Sequence, residues 1–186
     1  MGNYIFLYWE AIQSGRVTVG KWIRIVYQIL VEGIQNGTWI FSEQKANKAI
    51  TFIENFCHHS KGRNDLLKLE LWQKAIVSAI FGILDPATGY RQFREVFIVI
   101  ARKNGKSLFA AALSAYMAYI DGEYGAEIYF LAPKLDQANL VYDAFYQIVR
   151  SDDELDLITK KRQSDIYIKD FNTIIKKIAF NSKKSD

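Results

Sequence analysis

The chain has 186 residues, 50% of them hydrophobic, 15% aromatic and 24% charged, with a net charge of +4. That size makes one domain, or a domain with an appendage, and buries a core without metal or disulfide staples; the near-average composition excludes disordered, collagen-like and coiled-coil classes. Cys57 is the single cysteine, so a disulfide scaffold is excluded, and the mild positive charge permits a polyanionic partner without requiring one.

The longest uncharged helix-like stretch, Ser107 to Ile120, has 14 residues between Lys106 and Asp121, short of the roughly 20 that a bilayer span needs. The apolar burst Tyr4 to Trp9 has no preceding Lys or Arg and closes at Glu10, unlike a secretory signal. A soluble intracellular protein with no membrane association is expected.

The first 60 or so residues read as helical and accessory. Trp22, Ile25, Val26, Ile29, Leu30 and Ile34 recur at helical steps and predict one buried face. After a break at Asn36-Gly37, Ser42 predicts an N-cap with Glu43 in the first turn, and Ala46, Ala49, Ile50, Ile53 and Phe56 a second buried stripe. Lys61 to Asp65 reads as a linker, so the expected division is an accessory region 1–62 and a second domain 63–186.

From Leu66 the character changes. Leu71, Trp72, Ala75, Ile76, Ala79 and Ile80 predict a helix ending near Gly82, with a turn at Asp85 to Gly89. Glu95 to Ala101 is a continuous β-branched and aromatic run, predicting a strand buried on both faces. A helix from Lys106 to Ile120, a strand from Ala126 to Ala132 and a helix from Leu135 to Val149 complete a strand–helix–strand–helix pattern, the signature of an α/β parallel sheet with flanking helices. Asp152-Asp153-Glu154 is an acidic break that reads as a solvated helix end, and Asp165 to Lys169 and Thr173 to Phe180 read as two further strands. From Lys160 onward eight Lys and Arg stand against three Asp, which suits either DNA phosphates or a solvated ribbon.

The chemistry concentrates between the predicted strand and the helix that follows it. Arg102-Lys103-Asn104-Gly105-Lys106-Ser107 places a glycine turn where the first amides of a helix have no intrahelical acceptor and the helix dipole favours an anion. Gly105 permits close backbone approach, Lys106 supplies a point charge for β- and γ-phosphate oxygens, and the Ser107 hydroxyl suits a phosphate-bound Mg²⁺. The usual loop is Gly-x-x-x-x-Gly-Lys-Ser/Thr, yet the position five before Gly105 is Ile100.

That variant loop resembles the one in the large terminase subunits of tailed bacteriophages, where a basic residue replaces the early glycine. Leu69 to Gly82, with Trp72-Gln73 and Phe81-Gly82, resembles the family's segment upstream of the loop. Leu131 to Ala138 resembles the stretch after its second strand, in the same order and spacing. The resemblance covers Leu66 to about Arg150 and, more weakly, Ala46 to Phe56. It implies the N-terminal part of an ATPase domain of P-loop type in the ATP-driven motor that packages viral DNA. Lys106 and Ser107 would bind phosphate and Mg²⁺, with Lys103, Asn104 and Gly105 completing the cradle. Arg102 would be the basic residue near the γ-phosphate and Gln73 would read the adenine edge. ATP and Mg²⁺ are the implied cofactors. Double-stranded DNA, a small terminase subunit and the portal are the implied partners of the full-length protein, in the host bacterial cytoplasm.

Other candidates have simpler readings. Cys57-His58-His59 lacks a second Cys/His cluster and reads as structural, and Trp72 as core. Lys134 and Gln137 are DNA contacts by analogy alone. The acidic pair that a P-loop ATPase carries at the end of a later strand is not found after Ser107. Asn181 to Asp186 reads as a sequence cut in mid-domain, and autonomous hydrolysis is not expected. A different P-loop NTPase fragment, helicase-like, and a non-catalytic interaction domain with a degenerate loop remain the alternatives.

Overall fold

The structure, a computed structural model, describes residues 2–59 and 62–180; the expectation for Asn181 to Asp186 lies outside them. The elements run α1 (Tyr4–Gln13), α2 (Lys21–Gln35), β1 (Ile40–Phe41), α3 (Glu43–Phe56), α4 (Leu71–Gly82), β2 (Ile83–Leu84), α5 (Lys106–Tyr119), β3 (Glu127–Ala132), α6 (Leu135–Arg150), α7 (Asp153–Ile158), β4 (Thr159–Lys161), β5 (Ile166–Ile168) and β6 (Thr173–Ala179). Two compact units interleave along the chain: Met1–Thr51 with Lys68–Val99, and Phe52–Leu67 with Ile100–Asp186. Among the described residues no helix is long and apolar enough to cross a membrane.

The first unit is helical. The Asn3 side chain accepts from the amides of Ile5 and Phe6 and starts α1. Ser42 caps α3 as expected, its hydroxyl accepting the Lys45 amide at 3.3 Å. A reciprocal capping box opens α4, in which Glu70 accepts from the Gln73 backbone and the Gln73 carbonyl accepts the Glu70 amide at 2.9 Å. Ile5, Tyr8 and Ile12 of α1 pack with Tyr27, Leu30 and Val31 of α2 and with Ala75 and Ile83.

Two expectations fail here. In α2 the core takes Tyr27, Leu30 and Val31, while Trp22 (73% exposed), Val26 and Ile29 face solvent. The helix is apolar around more than one face, so periodicity alone leaves its rotation open. The edge-on Tyr8–Tyr27 contact, with ring centroids 4.7 Å apart, decides it. Glu95 to Ala101 is not a strand buried on both faces. It is irregular backbone, with Phe97 94% and Val99 80% exposed. An apolar run shows what a buried strand would tolerate, but a strand also needs a ladder partner, and none of the described strands pairs with it.

The second unit is α/β. Its sheet has the order β3-β6-β5-β4, with β3 and β6 parallel and the other pairs antiparallel. The α/β class therefore holds, with a mixed rather than a wholly parallel sheet. Helices α5 and α6 pack together. Alanines 111, 112, 115 and 118 are buried along α5, small side chains that allow close helix approach. An aromatic cluster seals the unit: Phe52 lies against Tyr116 and Tyr119, and Phe145 against Tyr119 and Phe130. The buried Tyr119 hydroxyl is satisfied by the Thr159 hydroxyl at 2.6 Å.

The acidic run lies at a helix end, as expected, and caps α7. Asp152 accepts from the amides of Glu154 and Leu155, and Asp153, Glu154 and Asp156 occupy the first turn of α7, where the helix dipole favours them. Strand β4, three residues with two lysines, carried no sequence signal. Arg162 and Asp165 form an ion pair that, by its hydrogen bond, holds the Asp165 carboxyl below the usual carboxylate range.

A Cβ on Gly82 would sit 2.6 Å from the Phe41 ring and 2.9 Å from the Ala46 Cβ. Gly82→Ala is expected to destabilise the protein by about 1–3 kcal/mol through overpacking, read as a lower urea midpoint at unchanged slope. Burial, with a smaller contribution from the Asp152 carboxylate, pushes the Cys57 thiol up to about 12. Only the unfolded chain ionises its thiol above the ordinary value of about 8.5, so this group's contribution to stability is complete below that pH. It falls as pH rises toward 12. Cys57 is expected to resist a thiol reagent at pH 8 until denaturant is added.

Candidate phosphate-binding loop

The loop is built by two left-handed residues. Lys103 and Gly105 both have φ of +67°, and the Asn104 amide donates to the carbonyls of Ala101 (3.4 Å) and Arg102 (3.3 Å). A lysine in this conformation costs about 1–2 kcal/mol, and the Asn104 bonds help hold it. Gly105 then serves as the N-cap of α5. Its carbonyl accepts the first helical bond, from Phe109 at 2.9 Å, and it brings no capping side chain. The amides of Lys106, Ser107 and Leu108 thus open the helix without intrahelical acceptors. A Cβ on Gly105 would meet nothing within 4 Å. Residues 101–106 are exposed, and Ser107 and Leu108 half-buried.

The loop forms one side of a cleft of about 650 Å³, presenting Arg102, Lys103, Gly105, Lys106, Ser107 and Leu108. The facing wall carries Leu140, Asp143, Ala144 and Gln147 of α6, and His59. Backbone bonds hold His59 in place: Leu67 donates to the Cys57 carbonyl at 2.7 Å and His59 to the Asp65 carbonyl at 3.0 Å. Arg63 pairs with Asp65 at 3.2 Å and donates to His59 Nε2 at 2.6 Å.

Five of the predicted site residues are thus on one cleft. Asn104 acts on the loop's own carbonyls. Gln73 lies in the first unit, 9% exposed, with its carbonyl engaged in the α4 capping box. Trp72 packs against the first unit's core, and Lys134 and Gln137 are exposed at the start of α6. The sequence reading missed His59 and the α6 wall. Positions 140, 143, 144 and 147 share one helix face, which was legible. That this face meets the loop was not.

Three cations, open helix amides and a hydroxyl form a donor set for a polyphosphate carrying a divalent cation. Gly105 leaves open the room an oxygen needs. The residues fit such a group.

The family described as terminase large subunit, ATPase domain, matches residues 71–186. A solved structure, the HK97 bacteriophage large terminase, is similar at 25% identity and a TM-score of 0.62 over 76% of this chain. The chain spans 28% of that protein's length. No curated protein sequence matches significantly.

Gly105→Ala is expected to cost about 1 kcal/mol by forcing a side chain into left-handed backbone and to place a methyl group over the amides. Thermal melts should show a lower midpoint and a smaller rise on adding sodium tripolyphosphate than the parent chain gives.

Proposed function

The chain belongs to the terminase large subunit ATPase-domain family, and from this membership and the loop geometry we propose that it binds ATP with Mg²⁺ as the nucleotide-binding part of a DNA-packaging motor. The observation that carries the reading is the left-handed turn at Lys103 and Gly105, which opens the first amides of α5 to an anion.

The roles follow from the chemistry of each group. The amides from Gly105 onward cradle the phosphates, Lys106 neutralises β- and γ-phosphate oxygens, and Ser107 ligates Mg²⁺. Arg102 and Lys103 add charge at the γ-phosphate end, and Asn104 keeps the loop in shape. Gln73 reads the adenine edge; its carbonyl is occupied by Glu70, so the NH₂ group is the contact offered. The residues from 63 onward serve as the ATPase portion and 1–62 as the accessory region. In the whole motor, hydrolysis moves double-stranded DNA through the portal in the host cytoplasm, with the small subunit selecting the DNA.

Hydrolysis also requires a carboxylate that orients the attacking water. No described strand is followed by an acidic pair, so this chain binds nucleotide without turning it over at an appreciable rate.

Mg·ATP at a hundred times its dissociation constant is expected to stabilise the chain by about 2.7 kcal/mol, raising the melting temperature by several degrees. Lys106→Ala should abolish the shift; an unshifted parent chain would favour an interaction domain with a degenerate loop. Phosphate release should stay at background in both proteins, and robust release from the parent that vanishes in Lys106→Ala would show that the carboxylate was misjudged.

A further inference from the structure

The cleft has a second wall that phosphate binding does not use. Leu140, Asp143, Ala144 and Gln147 recur at helical spacing on α6 and share the cleft with His59. Leu140 is 56% exposed, an apolar side chain without a covering layer beside three cationic residues. The imidazole is held in place by Arg63, 2.6 Å from Nε2. A guanidinium only donates, so Nε2 accepts. The wall therefore offers an aromatic ring, two aliphatic side chains, a carboxylate and an amide. A heterocycle takes aromatic and aliphatic contacts on its faces, and ribose hydroxyls donate to a carboxylate, as in dinucleotide-binding sites.

We propose that this wall is the nucleoside subsite of the cleft, with His59 and Leu140 against the faces of the base and Asp143 accepting from a ribose hydroxyl. The inference rests on the nucleotide reading of the loop and adds a ligand-facing role for His59 and α6. It accounts for a carboxylate, Asp143, on a cleft whose other charged groups are cationic; against bare phosphate that carboxylate would be repulsive.

Calorimetric titration of the full chain with Mg·ATP, Mg·dATP and Mg·tripolyphosphate separates the subsites. His59→Ala and Leu140→Gln should each weaken Mg·ATP about fivefold to tenfold, the range of one or two lost contacts, and leave Mg·tripolyphosphate unchanged. Asp143→Ala should remove the parent's preference for ATP over dATP. Lys106→Ala should weaken all three ligands alike. Melts without ligand check that each variant is folded; Leu140 and Asp143 are exposed, so the two α6 variants keep the core intact. Variants that bind every ligand as the parent does, or lose ATP and tripolyphosphate equally, would overturn the subsite while leaving the phosphate loop standing. A parent chain that binds none of the three would overturn the nucleotide reading and this one with it.

Discussion

An α-helix begins with amides that its own backbone cannot satisfy, and the second unit is arranged around leaving those of α5 open. Among the described residues four of the seven helices are closed by a side chain, Asn3 on α1, Ser42 on α3, Glu70 on α4 and Asp152 on α7, while α2 and α6 start without one. Gly105 supplies none. It stands in left-handed backbone two residues after Lys103 does the same, and the two reversals aim the chain so that solvent meets the amides. Such an opening costs stability, which a bound anion would recover.

The remainder of the unit supplies rigidity. The small residues of α5 lie in the interior, and Tyr116 and Tyr119 lock against Phe52 and Phe145. The axis of α5 is thereby fixed, and the position of its first turn with it. α6 meets α5 along one side and the sheet along another, so the face carrying Leu140 and Asp143 is set by the same packing. The sheet is covered unequally. Phe130 packs under Tyr142 and Phe145, while Tyr129 and Leu131, on the opposite face of β3, are exposed.

What the sequence revealed and what it hid divide along the range of the interactions. Local chemistry was readable: α4 begins after Glu70 and ends at Gly82 as its pattern predicts, Ser42 caps α3, and the loop before α5 turns where glycine permits. Pairing and rotation were not. Apolar continuity in Glu95 to Ala101 predicted a strand, but only a neighbouring ladder makes one. Residues around most of α2 are apolar, and a single aromatic contact chose the buried arc. His59 and the α6 wall are brought to the loop by tertiary packing between segments more than thirty residues apart in the chain, which no local motif encodes.

The central claim is that the amides opening α5 bind polyphosphate, and amide chemical shifts report on them one by one. Titrating the ¹⁵N-labelled chain with Mg·ATP should move the Gly105, Lys106, Ser107 and Leu108 resonances along one saturable curve, with little change in α1 or α2. A titration that leaves those four resonances in place while others shift, or moves nothing, would contradict the account.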